Sequence, residues 1–162
     1  MRRAVAFLIL VTTLCGCGAV EMMLAPAIAQ WETEVYGMRV VYRTVADGQW
    51  AGVATWLFGT CTIVLNANLS TEQLVHVAAH ELAHCLDGAY LNWSHNGFAD
   101  EGCNFEWSNG YHCTPREGFA EAYAETYLKK CGYARGPLGL RPDDGIECEL
   151  PDPRDVKPED FR

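Results

Sequence analysis

The sequence predicts an α+β domain, because strand-like and helix-like patterning occupy separate stretches of the chain. Segments rich in β-branched and aromatic residues come first, two capped helices follow, and six cysteines lie downstream of the N-terminal segment. With 162 residues, 49 % apolar and 11 % aromatic, the chain can bury one ordinary core, which argues against disorder and fibrous repeats.

Residues 1–29 read as an export signal. Arg2 and Arg3 precede an apolar run over 4–14, far short of the roughly 20 residues that span a bilayer. Two cuts compete. Ala27-Ile28-Ala29 before Gln30 has the small-x-small pattern of a signal peptidase site. Leu14-Cys15-Gly16-Cys17 resembles a bacterial lipobox, in which Cys17 becomes a lipidated first residue and 18–30 a tether near the membrane. Either cut leaves Cys61, Cys85, Cys103, Cys113, Cys131 and Cys148 in the exported domain. Three disulfides are the default for such a set, with 15 possible pairings. A cysteine zinc site has no support, since no Cys-x-x-Cys pair lies in this region.

Along the domain, 34–45 (EVYGMRVVYRTV) and 61–65 (CTIVL) read as strands, with a further strand near 53–58. The period changes at Ser70. Ser70 with Gln73 forms a capping box, and the helix it opens is expected to run to about Leu86 before Gly88 stops it. Val75, Ala79, Leu82 and Leu86 make one apolar stripe on that helix. The stretch 88–113 lacks a sustained period and reads as a loop, stapled by Cys103 and Cys113. A second helix starts at Thr114 with Pro115 in its first position and continues to about Lys130, before Gly132. Residues 30–135 thus form the domain. The tail 136–162 holds five of the seven prolines and many acids, and reads as irregular, held at most through Cys148.

The most informative residues are His80-Glu81-Leu82-Ala83-His84. Two histidines four apart on a helix lie on one face, so both imidazoles can bind one zinc ion. The glutamate between them can take a proton from a water polarised by that ion and pass it to a leaving amine. Chance would place this pattern in about 1 % of chains of this composition, and fewer still with the motif opposite an apolar stripe.

A catalytic zinc takes three protein ligands. No Gly-x-x-His follows His84 at the metzincin offset, so the third is sought on the second helix. There Glu117, Glu121 and Glu125 recur every four residues beside the small Ala120 and Ala124. Glu117 is the expected ligand, and Glu121 the carboxylate that accepts a hydrogen bond from a ligating histidine. Thr114-Pro115-Arg116-Glu117 is also a capping box. If Glu117 folds back to the cap, Glu121 becomes the ligand and Glu125 its supporter.

These two motifs resemble the gluzincin group of zinc metallopeptidases, whose signatures are a His-Glu-x-x-His helix and a later glutamate-bearing helix. Glu117-Gly118-Phe119-Ala120-Glu121-Ala122-Tyr123-Ala124 is similar to that second signature, with lethal-factor-type catalytic domains the nearest likeness. The resemblance covers about residues 63–130. It implies a compact zincin-like fold, a small mixed sheet over the active-site helix, Zn²⁺ as cofactor, and a peptide or protein as substrate. It also implies an oxyanion-stabilising tyrosine or histidine, a role left unassigned between Tyr111, His112 and His95. The six cysteines depart from the group's usual pattern.

His95 otherwise reads as a solvated loop histidine, His76 as solvent-facing, and Tyr123 and Tyr127 as core. Asn68 and Asn92 open glycosylation sequons. The loop from Trp93 to Trp107, with Phe98 and Phe105, can wall a cleft. A formal charge of −9 argues against nucleic acid, whose binding draws on Lys and Arg, and favours basic over acidic peptides. The competing functional class is an exported, disulfide-stapled binding module with a structural or inactive zinc site. A membrane enters only through a lipid at Cys17.

Overall fold

The computed structural model describes residues 17–46, 50–98 and 114–160. They form an α+β fold with a four-stranded mixed sheet. Helix α1 (Cys17–Leu24) leads into β1 (Ala29–Val35) and β2 (Met38–Val45), which pair antiparallel with Val35 opposite Met38. The sequence predicts one strand over 34–45. Tyr36 and Gly37 break it, both at positive φ (55° and 72°), the two-residue turn whose twist matches that of the flanking strands. A second hairpin joins β3 (Gly52–Leu57) to β4 (Thr60–Asn66), and β4 pairs parallel with β2. The order is β1-β2-β4-β3, which leaves β3 at an edge.

Alternation along the strands sorts the two faces. Val40, Tyr42, Ala54, Cys61, Ile63 and Leu65 point into the main core. Val45 and Val64 point the other way, against the fully buried Met22 of α1. The Arg43 guanidinium donates to the Met23 and Ala25 carbonyls, and Ala29 pairs with Thr44. Met22 thus seats α1 against the sheet, and Ala29 and Gln30 open β1.

Helix α2 (Thr71–Tyr90) opens on the expected capping box, with Ser70 and Gln73 bonding each other's backbone. Its stripe Val75, Ala79, Leu82 and Leu86 is fully buried. The helix passes through Gly88 instead of stopping there. A Cβ at 88 would lie 2.6 Å from Trp93 and 2.8 Å from Trp56, so this glycine makes room for two indoles within the helix. Of the stretch expected to be a loop, residues 88–90 are therefore helix, and a turn with a 3₁₀ segment at His95–Gly97 follows. Phe98 packs edge-on to Phe119. Residues 99–113, with Cys103, Cys113, Phe105, Trp107, Tyr111 and His112, lie outside the described residues.

Helix α3 (Pro115–Cys131) is capped by Thr114, whose hydroxyl accepts from the Glu117 amide. It packs along α2 through the buried Ala120 and Ala124, and Tyr123 and Tyr127 are core as expected. The tail is irregular except for 3₁₀ turns at Gly136–Leu138 and Pro158–Asp160. It is held by more than Cys148. Leu138, Leu140 and Val156 enter the core, the Tyr42 hydroxyl donates to the Leu138 carbonyl at 2.8 Å, and the Trp31 indole donates to Gly139 at 2.9 Å.

Cys61–Cys85 and Cys131–Cys148 are disulfides, which suggests an oxidising environment. Among the described residues no helix is long and apolar enough to cross a membrane. The first bridge ties β4 to α2 one residue after His84 and closes a separation of 24 residues. The Cys61→Ala/Cys85→Ala double variant should lose about 3 kcal/mol of stability, read as a lower urea midpoint than the oxidised parent.

Candidate metal centre

Helix periodicity on α2 and α3 builds the centre. His76, His80 and His84 stand one turn apart on α2, and Glu117, Glu121 and Glu125 one turn apart on α3. Because the helices pack side by side, these two rows face each other.

Glu117 Oε2 lies 3.1 Å from His80 Nε2 and 3.3 Å from His84 Nε2. The capping alternative fails. The Thr114 hydroxyl accepts from the Glu117 backbone amide, while the Glu117 carboxylate turns to the two imidazoles. The three groups offer two nitrogens and one oxygen within one cation's reach. In a tetrahedral zinc site with bonds of about 2.1 Å, neighbouring ligand atoms stand about 3.4 Å apart. Both separations are close to that edge length, so donor type and spacing are compatible with a zinc-type cation.

Glu121 supports the same ring from behind. Its Oε2 is 3.0 Å from His80 Nδ1, and its Oε1 is 2.9 Å from His76 Nε2. Such a bond to Nδ1 directs Nε2 outward as the ligating atom. The sequence predicts a solvent-facing His76, and the structure makes it half-buried. Its i−4 offset from His80 already placed it on the same face, and the opposing carboxylate pulls it in.

Charge is strongly shared here. Burial opposes a proton on His80, but hydrogen bonds to Glu117 and Glu121 and the field of Glu81 outweigh it, raising the imidazole to about 10. Burial likewise opposes charge on Glu117 and Glu121, yet bonds to the histidines hold both carboxyls well below their usual range. The stabilisation from raised His80 is complete below about 6.5 and is lost as the pH climbs through about 10; that from the two glutamates exists above about 4.5 and is lost in acid. Burial lowers His84. As a neutral ring it accepts from Arg116 Nε at Nδ1 (3.3 Å) and presents Nε2–H to Glu117. A cation at Nε2 requires the other tautomer, so Arg116 must release Nδ1 on loading.

Cation uptake at pH 6 should accordingly expel at least one proton, the one held by His80. Calorimetry in buffers of different ionisation enthalpy measures it, and proton-neutral uptake would contradict the charged His80.

Glu81 occupies the pocket wall between α2 and β3. Burial pushes its carboxyl up to about 7, against His80 and an Ala54 amide hydrogen bond that favour the charge. Gly52 lines the same wall. A Cβ at 52 would sit 2.9 Å from Glu81 Cγ and 2.6 Å from Val77, so β3 approaches the carboxylate this closely only with glycine there. The composition of β3 gave no hint of that contact. Trp50, Gly52, His76, His80, Glu81 and Glu121 surround a cavity of about 300 Å³.

His95 belongs elsewhere. Its backbone amide and Nδ1 both bond the fully buried Asp87, which anchors the turn after α2. Tyr111 and His112, considered for the oxyanion, lie outside the described residues. No protein-family model, curated protein or solved structure matches this chain.

Proposed function

We propose that the chain is an exported zinc-dependent metallopeptidase of gluzincin type, holding Zn²⁺ through His80, His84 and Glu117 and hydrolysing peptide bonds with Glu81 as general base. The observation that carries this reading is the single carboxylate oxygen of Glu117 set between two imidazole nitrogens, 3.1 and 3.3 Å away, with a buried glutamate beside them. Bound zinc supplies Lewis acidity, bringing the pKa of water from 15.7 to about 7 and polarising a carbonyl.

The rest falls to the chain's own side chains. A carboxyl raised to about 7 is matched to exchanging protons near neutrality, so Glu81 can accept one from water and donate it to the departing amine. Glu121 fixes the His80 ring. The edge strand β3 begins at Gly52 beside Glu81, where an extended peptide can add main-chain hydrogen bonds. An acidic surface favours basic substrates. Export rests on the N-terminal signal together with the two disulfides, and lipid attachment at Cys17 is the lipobox form of that export.

Purified, oxidised protein incubated with a peptide mixture tests the reading by mass spectrometry. Cleavage should stop with chelator and return with Zn²⁺. Absent or chelator-insensitive cleavage overturns it and favours the binding module.

A further inference from the structure

The rows on α2 and α3 extend one rung beyond the centre described above. His76, Glu121 and Glu125 each offer a donor atom, and these atoms lie within 4.8 Å of one another. Two elements contribute, so the group is a cleft rather than a run along one surface. Glu121 is nearly buried, and its Oε1 is 2.9 Å from His76 Nε2. One imidazole with two carboxylates carries two negative charges, balanced by a divalent cation. The mixed nitrogen and oxygen set suits zinc better than Ca²⁺ or Mg²⁺, which prefer oxygen alone.

We infer that His76, Glu121 and Glu125 form a second binding site for a zinc-type divalent cation, linked to the first by Glu121. The two oxygens of Glu121 divide the work. Oε1 faces His76 and the second site, while Oε2 faces His80 Nδ1. A cation on the second site draws electron density from Glu121 and weakens the hydrogen bond by which its Oε2 orients the His80 ring, making that ring a poorer ligand. His76 also lines the cavity that contains Glu81, so the second cation sits at the edge of the proposed reaction cleft. Filling the second site is therefore a brake that acts when cation is in excess. The site stands independently of the proposed function; only the brake rests on it.

Equilibrium dialysis of the full, oxidised chain against rising free Zn²⁺, with free thiols alkylated, counts the sites by metal analysis. Wild type should saturate at two equivalents, and both His76→Ala and Glu125→Gln at one. The His80→Ala/His84→Ala variant should also keep one, lost on adding Glu125→Gln. Saturation of wild type at one equivalent overturns the second site, as does retention of two by folded Glu125→Gln protein, with folding read by circular dichroism. If His80→Ala/His84→Ala still binds as many as wild type, the proposed catalytic centre fails while the second site stands. In the peptide assay, excess Zn²⁺ should slow wild type about tenfold and spare Glu125→Gln; equal slowing of both overturns the brake.

Discussion

Replacing Glu81 with glutamine is expected to lower kcat for peptide hydrolysis by about 10²–10⁴ while leaving the content of bound Zn²⁺ unchanged. The amide keeps the shape of the carboxyl and can still accept from Ala54, but it takes no proton. Stability should move in the opposite direction from activity. Burial raises Glu81 to about 7, so above that pH the folded state bears an ionised group that water solvates better in the unfolded chain. Glutamine removes that cost. Glu81→Gln protein should therefore unfold at an equal or higher urea concentration than wild type at pH 8. An inactive and less stable variant would point to misfolding, and an active one would remove Glu81 from the chemistry.

The second large effect separates two glutamates one turn apart. Glu117→Gln should lose Zn²⁺ and peptide cleavage together, because its carboxylate is the one placed between His80 and His84. Glu121→Gln should weaken zinc by about 10–100-fold yet regain cleavage when the metal is raised, since it bonds the back of the His80 ring. Zinc titration with a competing chelator measures both. Equal losses would place the two carboxylates in equivalent positions, against the geometry.

Much of this arrangement was legible in the chain because local rules fix it. The four-residue spacing of His80 and His84, the capping box at Ser70 and the repeat of Glu117, Glu121 and Glu125 all follow from helical period, and tertiary packing preserved them. What escaped depended on neighbours distant in sequence. Gly88 has the composition of a helix stop, but its lack of a side chain serves Trp56 and Trp93. Tyr36 and Gly37 looked like strand residues until their positive φ values turned the chain. His76 seemed solvent-facing because the carboxylate that claims it lies 45 residues away. The proline-rich tail gave no period to read, yet Leu138 and Val156 reach the core through contacts that no local pattern encodes.

The link between Cys61 and Cys85 bears on timing as well as strength. Cys85 adjoins His84, so the bond that seats the metal-facing segment of α2 against the sheet can form only where thiols oxidise. Newly made chain still inside a reducing compartment lacks this staple, so the hydrolytic centre proposed above would be fully braced only where the bond can form.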